Sequence, residues 1–137
     1  MFGDPLILSR LQFAFVIASH IIFPAFTVGL ASYIAVLEGL YLARGDARYL
    51  RASKFLLRIF AVAFGMGVVS GIVMPFQFGT NWARLSDQVA NVVGPLLAYE
   101  GLTAFFLEAT FLGVLLFGRG RVPPWAHFGA AVLVAVG

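Results

Sequence analysis

From Leu11 to Leu37 no residue carries a formal charge, and the next charged positions are Glu38 and Arg44. That stretch of about 27 residues exceeds the roughly 20 that cross a bilayer's hydrocarbon as a helix. A second uncharged run extends from Ile59 to Ala83, and a third apolar stretch, Leu96 to Phe117, is interrupted only by Glu100 and Glu108. A fourth starts near Trp125 and reaches Gly137 after about 13 residues, some 20 Å of helix, which is short of a crossing. The pattern predicts an all-α transmembrane helix bundle with three complete spans and a truncated fourth. The spans fall at about 11–43, 55–76, 96–117 and 125–137, the last incomplete, so residues 1–137 read as the N-terminal part of one membrane domain.

Proline and glycine refine this picture. Pro24 lies inside the first stretch, removes one backbone hydrogen bond and predicts a kink a turn beyond His20. Pro5 to Phe13, with Arg10 and Gln12, reads as an interfacial lead-in. Gly67 and Gly71 form a small-xxx-small pair, which admits another helix or a flat ligand close to the backbone. The same string is no dinucleotide fingerprint, because its glycines are wrongly spaced and no strand precedes them. Gly118 to Pro124 reads as a turn. The N-terminus lacks the basic start of a secretory signal, with Asp4 and Pro5 in its place.

Composition agrees with the pattern. Of 137 residues, 61% are hydrophobic and only 11% charged, against about 25% charged in soluble domains. There is no cysteine, which excludes disulfides, thiolate metal sites and thiol nucleophiles. The net charge of +3 reads as membrane topology; no nucleic-acid partner is expected, since no basic run with interleaved aromatics occurs. Arg44, Arg48, Arg51, Lys54 and Arg58 flank the first connection, and Arg119 and Arg121 the third, whereas Arg84 is balanced by Asp87 in the second, about Gly79 to Pro95. The positive-inside rule makes the first and third connections cytoplasmic and turns the N-terminus outward. Tyr41, Tyr49, Trp82 and Trp125 fall where an aromatic belt would.

Three ionisable groups then stand inside apolar spans: His20, Glu100 and Glu108. Such groups are costly in hydrocarbon and mark ion paths, proton relays or cofactor sites. His20 is about 23 residues, roughly 35 Å of helix, from the cytoplasmic end of its span, so it lies toward the outer side. Glu100 opens the third span at similar depth, and Glu108 comes about 12 Å deeper and about 80° around the helix. An imidazole with no competing water suits a haem iron, though it equally suits an interhelical hydrogen bond. Two carboxyls on one span suit a proton path, or a packing hydrogen bond. The only other histidine, His127, reads as interfacial at the opposite end, which excludes a multi-histidine metal site and disfavours a bis-histidine haem. Glu38 reads as a snorkelling or paired group, and Met66 and Met74 as packing rather than thioether ligands.

The strings carry more than their periodicity. Ser9-Arg10-Leu11-Gln12-Phe13-Ala14 leading to His20, Phe76-Gln77-Phe78-Gly79-Thr80-Asn81-Trp82, Gly94-Pro95-Leu96-Leu97-Ala98-Tyr99-Glu100, and Ala104-Phe105-Phe106-Leu107-Glu108-Ala109-Thr110-Phe111-Leu112-Gly113 together resemble the N-terminal part of subunit I of cytochrome bd-type quinol oxidases. Phe60 to Met74 and the Leu97-Ala98-Tyr99-Glu100 variant look more like the cyanide-insensitive branch. The resemblance runs from about Pro5 to the end of the chain.

It implies a multi-pass protein of the bacterial inner membrane that works with oxidase subunit II, oxidises quinol and reduces dioxygen. His20 then stands where the family has the axial iron ligand of a high-spin haem, b or d. Glu100 stands at the acid near that haem, and Glu108 at the acid of proton delivery from the cytoplasmic side. The low-spin haem b ligands and the quinol loop of the family lie beyond Gly137, so this stretch alone is expected to be inactive. The residues themselves also admit a proton-coupled transporter fragment without haem, in which both glutamates bind the coupling ion, or a scaffold whose polar groups only lock helices.

Overall fold

The computed structural model describes residues 3–137, and of Ala104 and Phe105 the backbone alone. Five α-helices succeed one another: α1 (Pro5–Arg44), α2 (Ala47–Gly79), α3 (Ala83–Leu102), α4 (Ala109–Phe117) and α5 (Pro124–Val136), with a π-helical segment, Thr103–Glu108, joining α3 to α4. The α3–π–α4 rod, α1 and α2 are each long and apolar enough to cross a membrane; α5 is shorter. The protein is thus a multi-pass membrane helix bundle.

The helices outrun the apolar stretches that announced them. Residues 5–13 are no separate lead-in but the first turns of α1, where Asp4 caps the helix by accepting from the Leu6 amide at 2.9 Å and Pro5 occupies the first turn. Pro24 leaves α1 unbroken. Asp46 caps α2 by accepting from the Arg48 amide at 2.8 Å. The Arg48 side chain closes on the same carboxylate, and these bonds hold the Asp46 carboxyl below its ordinary range. Arg48, Arg51, Lys54 and Arg58, which flank the first connection, lie on the N-terminal turns of α2. The second connection shrinks to residues 80–82, because Ala83–Pro95 is already helical. Its polar residues, which read as a loop, decorate an exposed helical face instead, and Pro95 is absorbed within α3.

The core forms where α1, α2, α4 and α5 meet, around Ile34, Leu57, Phe60, Leu112, Leu115, Ala130 and Ala131. Small residues set the approach of α5: a Cβ on Gly39 would stand 3.1 Å from the Phe128 ring. Large apolar side chains such as Phe15, Ile22, Val62, Val69 and Phe106 are exposed, as a bilayer-facing surface requires.

Trp82 departs from the aromatic-belt expectation. It is buried between Phe13 and Phe78, with ring centroids 4.9 and 5.2 Å away in edge-on geometry. Beside it Gln77 accepts from Gln12 and Asn81, both at 2.7 Å, which ties the start of α1 to the α2–α3 turn. Trp125, by contrast, is exposed.

Candidate functional site

One cavity of about 700 Å³ opens between α1, α2, the α3–π–α4 rod and the end of α5, and His20, Glu100 and Glu108 all line it. Its size falls within the range of small-molecule and cofactor pockets, about 300–1,000 Å³. The walls are otherwise mainly apolar, with Phe60, Phe64, Val68, Ile72, Phe76 and Leu97 among them. Met74 is in the wall too, whereas Met66 is outside it and half exposed.

Each group reaches the cavity for a local reason. His20 projects from α1 against the glycine face of α2, where a Cβ on Gly71 would stand 3.0 Å from its Cε1. Its Nδ1 lies 3.0 Å from Ser70 Oγ, while Nε2 has no hydrogen-bond partner among the described residues. A regular α-helix would set Glu108 about 80° around the axis from Glu100. The π segment between them changes that. Such a bulge accommodates one extra residue in the helical ladder, so everything beyond it is set back by about 100°. The net offset falls to about 20°, and the two acids share a face about two turns apart. Neither carboxyl makes a side-chain hydrogen bond with another described residue, and both line the same cavity. Thr103, at the junction, hydrogen-bonds back to the carbonyls of Tyr99 and Glu100 at 3.2 and 3.0 Å.

A second polar cluster is separate from this cavity. Glu38, buried on α1, accepts from Ser53 Oγ at 2.5 Å and from the Arg119 guanidinium, and its other oxygen lies 3.3 Å from His127 Nδ1. His127, by its sequence an interfacial residue, is only 2% exposed, and its Nε2–H donates to the Leu115 carbonyl at 3.2 Å. The apolar core lies between the two polar sites: Leu115 meets the cluster, and Phe60 and Val134 wall the cavity. Sequence reading missed this assembly because Arg119 and Glu38 are 81 positions apart.

The site tolerates a haem on its own chemistry. Among the described residues no group of three His, Asp or Glu is placed to hold a bare ion, but a porphyrin brings four nitrogens and asks one axial donor of the protein. His20 Nε2 offers that donor in a largely apolar recess.

A multi-pass helical protein with a cofactor-sized recess lined by one open imidazole and two carboxyls falls among the helix-bundle redox and ion-translocating proteins of membranes. Comparison with known proteins narrows this. The family model for cytochrome bd terminal oxidase subunit I matches residues 8–137, and the chain belongs to that family. It is 40% identical over 134 residues to cytochrome bd-II ubiquinol oxidase subunit 1 of Escherichia coli (strain K12), covering 98% of this chain and 26% of that protein. It is 41% identical over 132 residues to cytochrome bd ubiquinol oxidase subunit 1 of Bacillus subtilis (strain 168), covering 96% and 28%. The solved bd oxidase from Geobacillus thermodenitrificans superposes with a TM-score of 0.79 at 29% identity, over 97% of this chain and 31% of that one. The chain thus spans between 26% and 31% of the length of these relatives.

Proposed function

We propose that this chain forms part of a terminal oxidase that passes electrons from quinol to dioxygen, with His20 as axial ligand of a high-spin haem and Glu100 and Glu108 as a proton relay. The observation that carries this reading is the convergence of the three side chains on one cavity. Family membership favours it over a proton-coupled transporter.

The residues divide the work. His20, its ring set against α2, would hold a haem through Nε2. A haem held there would supply the redox-active iron for dioxygen reduction. Glu108, half-buried, receives protons from the cytoplasmic side and passes them to Glu100, two helical turns away on the same face. The apolar walls keep bulk water from short-circuiting that transfer. The charge pattern supports an outward N-terminus and cytoplasmic first and third connections. A second oxidase subunit completes the assembly.

The test uses the full-length complex. His20→Ala should abolish a high-spin haem signal in the reduced-minus-oxidised spectrum, and an unchanged spectrum rejects the ligand assignment. Glu108→Gln should slow turnover by about 10²–10⁴-fold, the usual weight of a positioned acid–base group, with haem retained. Normal turnover removes Glu108 from the relay.

A further inference from the structure

Ser70 touches His20 in a way that bears on where the imidazole proton sits. Its Oγ lies 2.8 Å from the Gly67 carbonyl, which can only accept, and 3.0 Å from His20 Nδ1. With the hydroxyl proton donated to the carbonyl, the same oxygen accepts from Nδ1–H. Nε2 is then the nitrogen with the free lone pair. In that arrangement His20 Nδ1–H, Ser70 O–H and Gly67 C=O form one continuous hydrogen-bonded chain.

We propose that Ser70 is a positioning residue for His20: it selects the Nδ1–H tautomer, aims Nε2 into the cavity and strengthens electron donation from that nitrogen. The inference rests on the reading of His20 as the haem ligand. Three features of α2 serve the one ring. Gly71 has no Cβ to block Cε1, Ser70 grips Nδ1, and the Gly67 carbonyl holds the serine proton away from the imidazole. A histidine ligand commonly donates its second N–H to a carbonyl, carboxylate or water, and such partners set both tautomer and donor strength. A serine whose own proton is anchored one turn back does the same, and because its hydroxyl is neutral it puts no net charge in the cavity. The spacing accounts for the composition of the segment: Gly67, Ser70 and Gly71 lie three and four positions apart, on one helix face.

The experiment compares Ser70→Ala, Ser70→Thr and His20→Ala in the full-length complex. The readouts are haem content, the iron–imidazole stretching frequency by resonance Raman, and the haem reduction potential. Ser70→Ala should lower the stretching frequency and weaken haem retention by about 10–100-fold, the usual weight of such a partner. Ser70→Thr, which keeps the hydroxyl, should restore both. His20→Ala should lose the haem outright. If Ser70→Ala leaves the stretch and the potential at wild-type values while His20→Ala loses haem, the role of Ser70 is overturned and the ligand assignment stands. A loss of protein stability in Ser70→Ala with an unchanged stretch also overturns it, since that is a packing effect. If His20→Ala keeps its haem, the ligand reading falls and the role of Ser70 falls with it.

Discussion

Removing Arg119 should damage the protein more than removing Glu38, although the two form one ion pair. Glu38 is 2% exposed, whereas the Arg119 side chain is 25% exposed. Arg119→Leu strands a carboxylate that cannot reach water, with Ser53 as its remaining hydroxyl donor and His127 Nδ1 at 3.3 Å. Breaking a buried pair on the side that leaves a buried charge costs about 3–5 kcal/mol. Glu38→Leu leaves a guanidinium that can swing into solvent. Its cost is mainly the unpartnered Ser53 hydroxyl, about 1–3 kcal/mol, because His127 Nδ1 still has the Arg119 guanidinium 3.1 Å away. The double variant should resemble Glu38→Leu alone, giving a coupling of about 3–5 kcal/mol, because apolar replacement of both partners of a buried pair is often neutral.

The assay is equilibrium unfolding of the full-length complex in mixed micelles, monitored by loss of helix signal across a denaturing-detergent titration, at one protein concentration for all four forms. A penalty of about 3–5 kcal/mol displaces the folded-to-unfolded ratio by roughly two to three and a half decades, at 1.4 kcal/mol per decade. Two results refute the reasoning. If Arg119→Leu lies within about 0.5 kcal/mol of the wild type, the pair carries only the weight of a surface ion pair. If the two single penalties add in the double variant, Glu38 and Arg119 are energetically independent despite their contact.

The same geometry makes three further outcomes testable. Deleting Phe106 from the π segment should be tolerated, because loss of the extra residue restores an α-helix with both flanking faces unchanged. Deleting Val114 from regular α4 should instead rotate the remainder of that helix by about 100° and abolish assembly; equal damage in size-exclusion and haem-content measurements counts against the bulge. Gly71→Ala forces its Cβ to 3.0 Å from the His20 ring and should cost about 1–3 kcal/mol with reduced haem content, while Gly67→Ala meets Phe23 Cβ at an ordinary 3.5 Å and should cost less in the same unfolding assay. Trp82→Phe should lose less than about 1.5 kcal/mol, because the indole N–H is buried without a hydrogen-bond partner among the described residues; a larger loss means that this N–H is engaged in the assembled protein.

Much of the bundle was legible in the sequence because hydropathy acts over whole segments. The charge-free stretch through His20 demands a helix whatever its neighbours are, since unsatisfied backbone is intolerable in hydrocarbon. Helix ends were less legible. Ala47–Lys54 and Ala83–Pro95 are polar, and polarity distinguishes a loop from a water-facing helix only weakly. The small-residue pair Gly67 and Gly71 was visible as a close-approach site, but that His20 fills it depends on the packing of α1 on α2. The π segment left no signal at all. Its consequence, the common face of Glu100 and Glu108, runs against the 100° step that any pattern argument assumes.

Glu38 and Glu108 show why an ionisable residue in an apolar helix cannot be assigned from its own span. By composition they are alike, each an acid set in an apolar stretch. Bilayer physics puts the same question to both, namely what compensates the loss of water. For Glu38 the chain answers it with a hydroxyl and a guanidinium drawn from two other segments, with the His127 ring packed beside them. Such a group is held in one place by its partners, which makes it a fixture of the fold. For Glu108 no described side chain answers it, and the carboxyl faces a cavity instead. A half-buried acid without a fixed partner can change its protonation state at little structural cost, which a proton carrier requires and a structural acid must avoid. The partners of each acid, more than its depth or hydropathy, separate the two roles, and they predict that neutral isosteres at Glu38 disturb stability while those at Glu108 disturb turnover.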